Sequence, residues 1–322
     1  MRRIAACGAQ VFAVAVLLSA LARGSESVEE LIASGRYAEA LPILEAARDA
    51  AAASGRRDRE VATVFNNLGS VYGELGRTRE AVHMYERSLA LRRDLGELET
   101  HDAARTLNNL GAAYWHLGMF SRARENLERA AELETKLGLG DDVSIARVWI
   151  NLGMVDQSEQ HWDDAETMFR KALEARERAL GPSHCEVAIA LNDLGVLLET
   201  RKRFDEAGPV LERAVDILET ALGGMHPWVA SGFNNLGVLY TKLGRPADAE
   251  KNFKKALGIA TAVLPPSHPH LASYMTSYAQ LLRRLGRKDE ARRLEEAASR
   301  SREAYQRENM VGYTVDVEGM RK

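Results

Sequence analysis

The sequence predicts an all-α solenoid built from antiparallel helix pairs, and three observations carry that prediction. Alanine is the commonest residue, 48 of 322, while aromatics are 6% and there are only 8 prolines. Alanine costs least in a helix, whereas strands favour β-branched and aromatic residues. The second observation is a motif that returns at a fixed step. Phe65-Asn66-Asn67-Leu68-Gly69 recurs as Leu107-Asn108-Asn109-Leu110-Gly111, Trp149-Ile150-Asn151-Leu152-Gly153, Leu191-Asn192-Asp193-Leu194-Gly195 and Phe233-Asn234-Asn235-Leu236-Gly237, each 42 residues after the last. A sixth, degenerate copy places Ala279 where the glycine would stand. Third, Phe65, Leu68, Gly69 and Tyr72 fall at i, i+3, i+4 and i+7, one face of a helix.

The balance of 43 Lys+Arg against 46 Asp+Glu, with 46% hydrophobic and 28% charged residues, is that of an ordinary folded protein. It excludes disorder, collagen and a polytopic membrane protein. Nucleic acid as the main partner would need a clustered basic surplus that a net charge of −3 does not supply. Length alone suggests two domains. A repeat in constant register replaces that expectation with one solenoid.

Taken in order, the chain opens on Arg2-Arg3, an apolar run from Val11 to Leu18 and the small residues Ala20 and Ala22. This is the pattern of a secretory signal peptide over residues 1–22. It implies an exported protein, periplasmic or extracellular. An uncleaved N-terminal membrane anchor is the alternative, but the apolar run is shorter than the ~20 residues a span needs. Cys7 precedes the apolar core, which argues against lipid attachment there. Cleavage after Ala22 removes Arg2, Arg3 and Cys7, taking the net charge from −3 to −5 and leaving Cys185 as a lone thiol. No membrane span is expected in the mature chain.

Residues 23–59 read as a shortened leading repeat, since Gly35-Arg36-Tyr37-Ala38-Glu39-Ala40 parallels Gly76-Arg77-Thr78-Arg79-Glu80-Ala81. Residues 60–298 carry the six steps of 42. In each, a first helix bears the Asn/Gly motif, and a small residue twelve places on (Ala81, Ala123, Ala165, Ala207, Ala249, Ala291) marks the second. Small residues in both columns let the two helices approach closely. Gly76, Gly118 and Gly244 end first helices. Pro42 and Pro209 share a column expected near the first turn of a second helix, where a missing N–H does least harm. A polar capping helix is expected over 299–308, and a strand-like tail over 309–322 in which Val311, Tyr313, Val315 and Val317 alternate with polar residues.

The columns at Phe65, Leu68, Gly69, Tyr72, Ala81, Tyr85 and Ser88 resemble the tetratricopeptide repeat (TPR). The 42-residue period and the segments at 180–188 and 222–230 are similar to its kinesin-light-chain type. The resemblance covers about residues 60–298. It implies a right-handed superhelix whose first helices line a concave groove, and a non-catalytic scaffold that binds protein or peptide there.

Candidate chemistry is sparse. His184, His226 and His268 are 42 apart, so successive repeats separate them by on the order of 10 Å. Ligands of one ion need bonds of about 2 Å, so three separate structural turns are expected and no metal site. Cys185 occupies the column of Pro227 and Pro269 and reads as a loop variant. Asp163-Asp164 and Glu29-Glu30 lie at helix starts, where they complement the macrodipole. Phosphate-loop, nucleophile-elbow and zinc motifs are lacking, so no catalytic residue, cofactor or enzyme activity is expected.

The informative positions are polar ones inside the first helices. Asn67, Asn109, Asn151 and Asn235 form one column with Asp193, and Asn66, Asn108, Asn192 and Asn234 precede it. Asparagine is a mediocre helix former, so its repetition asks for a reason. One reading is interhelical hydrogen bonding. The other is a groove whose amides grip a peptide backbone through donor and acceptor alike, a role the family resemblance implies for Asn67, Asn109, Asn151 and Asn235. The two are compatible. Arg105, Arg147, Lys242 and Arg284, with Thr63, Glu74 and His116, should share that face and choose among side chains. The arginines favour an acidic or C-terminal carboxylate ligand. A self-assembling array is one alternative function, and an accessory subunit of an envelope complex regulated by its own tail is another. The third copy departs from the pattern at Asp156, where Tyr or Leu is usual, and at Gln160, where Gly is usual; a bend or a ligand position would explain it.

Overall fold

The computed structural model describes residues 27–33, 35–138 and 143–310, so the expected signal and the tail beyond Met310 lie outside the described residues. Among those described there are fourteen α-helices and no strand. A short helix α1 (Val28–Ala33) precedes α2 (Tyr37–Ser54). Six helix pairs follow: α3 (Arg59–Glu74) with α4 (Thr78–Asp94), α5 (His101–His116) with α6 (Phe120–Lys136), α7 (Val143–Ser158) with α8 (Trp162–Leu180), α9 (Cys185–Thr200) with α10 (Phe204–Leu222), α11 (Pro227–Lys242) with α12 (Pro246–Val263), and α13 (Pro269–Arg284) with α14 (Lys288–Met310). No described helix is long and apolar enough to cross a membrane. The chain divides into two compact units, residues 1–193 and 194–322, with the boundary inside α9.

In both units the same contact joins the two helices of a pair. A Cβ added to Gly69 would meet the Tyr85 ring at 2.5 Å, and one on Gly111 would meet Leu127 at 2.6 Å. Gly153 faces Phe169 at 2.6 Å, Gly195 faces Leu211 at 2.6 Å and Gly237 faces Phe253 at 2.7 Å. Glycine is required here because the large side chain sixteen residues on lies directly against its backbone. The alanine column completes the approach: Ala81, Ala123, Ala165, Ala207, Ala249 and Ala291 are all 0% exposed.

Helix ends are also set by columns. Asp58 Oδ1 accepts the Val61 N–H at 3.1 Å, and Thr100 Oγ1 accepts that of Ala103 at 3.3 Å. The three spaced histidines hold this same N-cap position. Nδ1 of His184, His226 and His268 accepts the backbone N–H two residues on, at 3.2 Å each time. At the other end, Gly76, Gly118, Gly244 and Gly286 have φ between 69° and 76°. The next residue's N–H reaches back to close the helix, as from Arg77 to the Tyr72 carbonyl at 2.7 Å. Gln160 (φ 65°) and Lys202 (φ 61°) take the same left-handed conformation without glycine. The third copy therefore turns as the others do, with His161 N–H donating to the Asp156 carbonyl at 2.8 Å.

Three expectations are corrected. Pro42 and Pro209 are the sixth residues of α2 and α10, inside the helix rather than in its first turn. The polar stretch 299–308 is no separate cap: α14 runs unbroken for 23 residues, because no breaker interrupts it. Cys185 is the first residue of α9 and is buried, rather than a loop residue.

Gly153→Ala should lower stability by about 1–3 kcal/mol in thermal denaturation, because overpacking against Phe169 outweighs the roughly 1 kcal/mol that alanine gains over glycine in a helix. The histidine caps make stability pH-dependent. Burial holds His226 and His268 below the ordinary imidazole value of 6.5, which keeps Nδ1 free to accept. Their contribution is present above pH 6.5 and lost as pH falls. His226→Ala should therefore cost about 1 kcal/mol at pH 8 and less at pH 5 in denaturant titrations.

Candidate functional site

The first helices α3, α5 and α7 neighbour one another in the first unit, which brings their asparagines together. Asn109 Nδ2 donates to Asn66 Oδ1 at 3.3 Å, and Asn151 Nδ2 donates to Asn108 Oδ1 at 2.8 Å. Within the pairs, Asn66 donates to Asn67 at 3.4 Å and Asn108 to Asn109 at 3.5 Å. A primary amide carries both donor and acceptor, so a column of them can link helix to helix in a chain. Asn192 is hydrogen-bonded to Asp193. In the second unit Asn234 donates to Asn235 at 3.3 Å.

Burial divides the eight asparagines. Asn66, Asn67, Asn108 and Asn234 are buried, so they serve packing rather than offering amides to a ligand. Asn109, Asn151, Asn192 and Asn235 are partly exposed. The charged positions divide too. Arg105 is partly buried and donates to Asp102 at 3.1 Å, and Lys242 forms an ion pair with Glu199. Arg147 and Arg284 are exposed and make no ion pair among the described residues. These two are the exposed members of the sequence-predicted set, beside the partly exposed asparagines.

A buried charged column was not anticipated. Arg92, Glu134 and Arg176, spaced by 42, are 0%, 2% and 4% exposed. Arg92 Nη2 lies 3.4 Å from Thr63 Oγ1 and 3.3 Å from Asp102, tying α4 to α3 and α5. Glu134 accepts from His101 Nδ1 at 3.0 Å, which raises the His101 pKa. Arg176 Nη1 donates to the Glu186 carbonyl at 2.8 Å and Nη2 approaches its carboxylate at 3.2 Å. Burial pulls the pKa of both arginines down. Leu218 and Ala260 hold this column later in the sequence, a sign of an interior position that could have exposed the anomaly.

The break at Asp156 has a local explanation. Tyr72, Tyr114 and Tyr240 in that column donate to Glu45, Glu86 and Glu212 at 2.7, 2.7 and 2.6 Å. Asp156 has no hydroxyl to donate, and Arg124 supplies the missing donor, reaching Asp156 and Glu159 at 2.6 Å each. Asp156, Glu159 and His161 bring ligand atoms within 4.8 Å of one another. The Arg124 guanidinium already pairs with both carboxylates there.

These units define a class: helix-hairpin repeats whose first helices carry a polar, partly open face, the architecture of a protein-binding scaffold. The family model of the tetratricopeptide repeat matches residues 31–94, 144–220 and 228–304, and a second such model matches 66–136. The chain belongs to the tetratricopeptide repeat family. No curated protein matches it as a relative. Among solved structures it is similar to BtubC (BKLC) from P. vanneervenii, at 27% identity and a TM-score of 0.55, over 74% of this chain and 92% of that one. A putative kinesin light chain from Podosopora anserina aligns at 20% identity and a TM-score of 0.51, over 65% and 99%. The Rap conjugation gene regulator of plasmid pLS20, in complex with the Phr* peptide, aligns at 16% identity and a TM-score of 0.69, over 87% and 73%. The last two likenesses concern the fold.

Asp193 stands where four copies have asparagine, and burial pushes its pKa from 3.8 up to about 6, against the pull of Arg176. A raised carboxyl pKa means that the folded state holds the proton more tightly, so stability is lost as pH rises from 3.8 through about 6. Asp193→Asn should stabilise the protein by about 1–3 kcal/mol at pH 7.5. In melts across pH the gain should vanish near pH 4.

Proposed function

We propose that the protein is a non-catalytic scaffold that binds a protein or peptide partner on the exposed polar face of its first helices. The observation that carries this reading is the placement of Arg147 and Asn151 on α7, both open and beside the Asn ladder that holds the face rigid. A fixed row of amides and cations suits an extended, acidic segment, with side-chain amides meeting main chain and arginines meeting carboxylates. In the second unit Asn235 and Arg284 offer the same groups. The peptide-bound Rap regulator is a fold relative that supports the analogy, and the fold alone does not name a partner. We further propose that the chain works outside the cytoplasm, a reading supported by the Arg2-Arg3, Val11–Leu18 and Ala20/Ala22 pattern.

Crosslinking capture from the native compartment tests the binding face. The double variant Arg147→Glu and Arg284→Glu should reduce recovery of the crosslinked partner about tenfold, as loss of about 1.4 kcal/mol would. Its melting temperature should stay at the wild-type value, since neither side chain makes an ion pair among the described residues. Undiminished capture by this variant would reject the face. Asn66→Ala and Asn108→Ala should act the other way, lowering stability first.

A further inference from the structure

A second surface lies on the opposite side of the first helices. In α5, at 3.6 residues per turn, Leu107 lies about half a turn from both Arg105 and Asn109, and Leu110 lies next to Leu107 on that side. They floor a groove of about 440 Å³ between α4 and α6, walled by Leu89 and Leu98, with Arg93 and Arg129 at its rim. That volume falls in the ~300–1,000 Å³ range of ligand sites.

The repeat supplies internal controls. One step on, the larger side chains Trp149 and Met168 stand at the positions of Leu107 and Asn126. Three steps on, the equivalent residues line a groove of about 250 Å³ in the second unit. There Glu212, Asp216 and Glu219 on α10 oppose Lys251 and Lys255 on α12, and Lys255 covers the Phe233 ring at 4.3 Å. That groove carries both signs of charge and a covered floor. The first-unit groove is apolar below, with two arginines and one carboxylate in its lining: Arg93 is exposed and makes no ion pair among the described residues, while Glu86 accepts from the Tyr114 hydroxyl at 2.7 Å. Arg129 has only an exposed partner, Glu132 at 2.9 Å.

We propose that this groove docks a partner peptide presenting one bulky apolar side chain next to a carboxylate. The apolar group fills the leucine-lined space, and the carboxylate meets Arg93 and Arg129. This goes beyond the first-helix face and does not depend on it.

The test uses the full chain and two fluorescein-labelled hexapeptides, one with the core Glu-Leu-Phe-Glu and one with Lys-Leu-Phe-Lys, followed by anisotropy. The acidic peptide should bind saturably and at least about tenfold more tightly than the basic one. Arg93→Glu should cost about tenfold in acidic-peptide affinity. Leu107→Trp, which copies the side chain tolerated one repeat on, should abolish binding while circular dichroism and melting stay unchanged. Equal affinity for the two peptides, no saturable binding by either, or full binding by a folded Leu107→Trp variant would each overturn the proposal.

Discussion

Five of the six helix pairs depend on one close approach: glycine on the first helix under a large side chain of the second, sixteen residues later. The contact brings backbone against ring or leucine at a separation that no Cβ tolerates. Because that distance is fixed, the alanine column twelve residues on has no room for anything larger and is fully buried. Dispersion is strong at such separations and falls steeply when a gap opens. The pair is therefore a stiff building block, and the rest of the sequence adjusts to it.

Stiff pairs leave polar groups with predictable neighbours, which explains why different residues do one job in one column. Asp58, Thr100 and three histidines all accept an N-terminal amide hydrogen. Tyrosine–glutamate contacts and the Arg124–Asp156 pair secure the same place with opposite donor arrangements. The asparagines extend this logic sideways, from one first helix to the next. The proposed binding positions are the ones these duties leave exposed. On the ladder side that means the partly exposed asparagines, Arg147 and Arg284, and on the opposite side of α5 it means the leucine groove.

The fold was legible because the Ala column repeats through all six copies and the Gly column through five, and periodicity reports backbone packing directly. The candidate face was only half legible. Asn108 and Asn109 differ by one position, and sequence spacing cannot say which amide is buried between helices and which is partly exposed. Arg92 and Arg176 escaped notice because charged residues are expected on surfaces, and only their register with Leu218 and Ala260 betrays burial. The leucine groove was hidden for a further reason: it arises from side-chain volume, Leu107 against Trp149, and not from residue class. Pro209 was misjudged by a few positions because a column places a residue within a repeat but not within its helix.

The close approach is best tested by whether the cost of filling it depends on the side chain it faces. Gly153→Ala should be measured in the wild type and in a Phe169→Ala background, each by denaturant unfolding. If the approach governs the pair, the glycine substitution is destabilising in the first background. In the second it becomes neutral or stabilising, because the ring is gone and alanine is the better helix former. An equal cost in both backgrounds would show that Gly153 is needed for some other reason and would contradict the account.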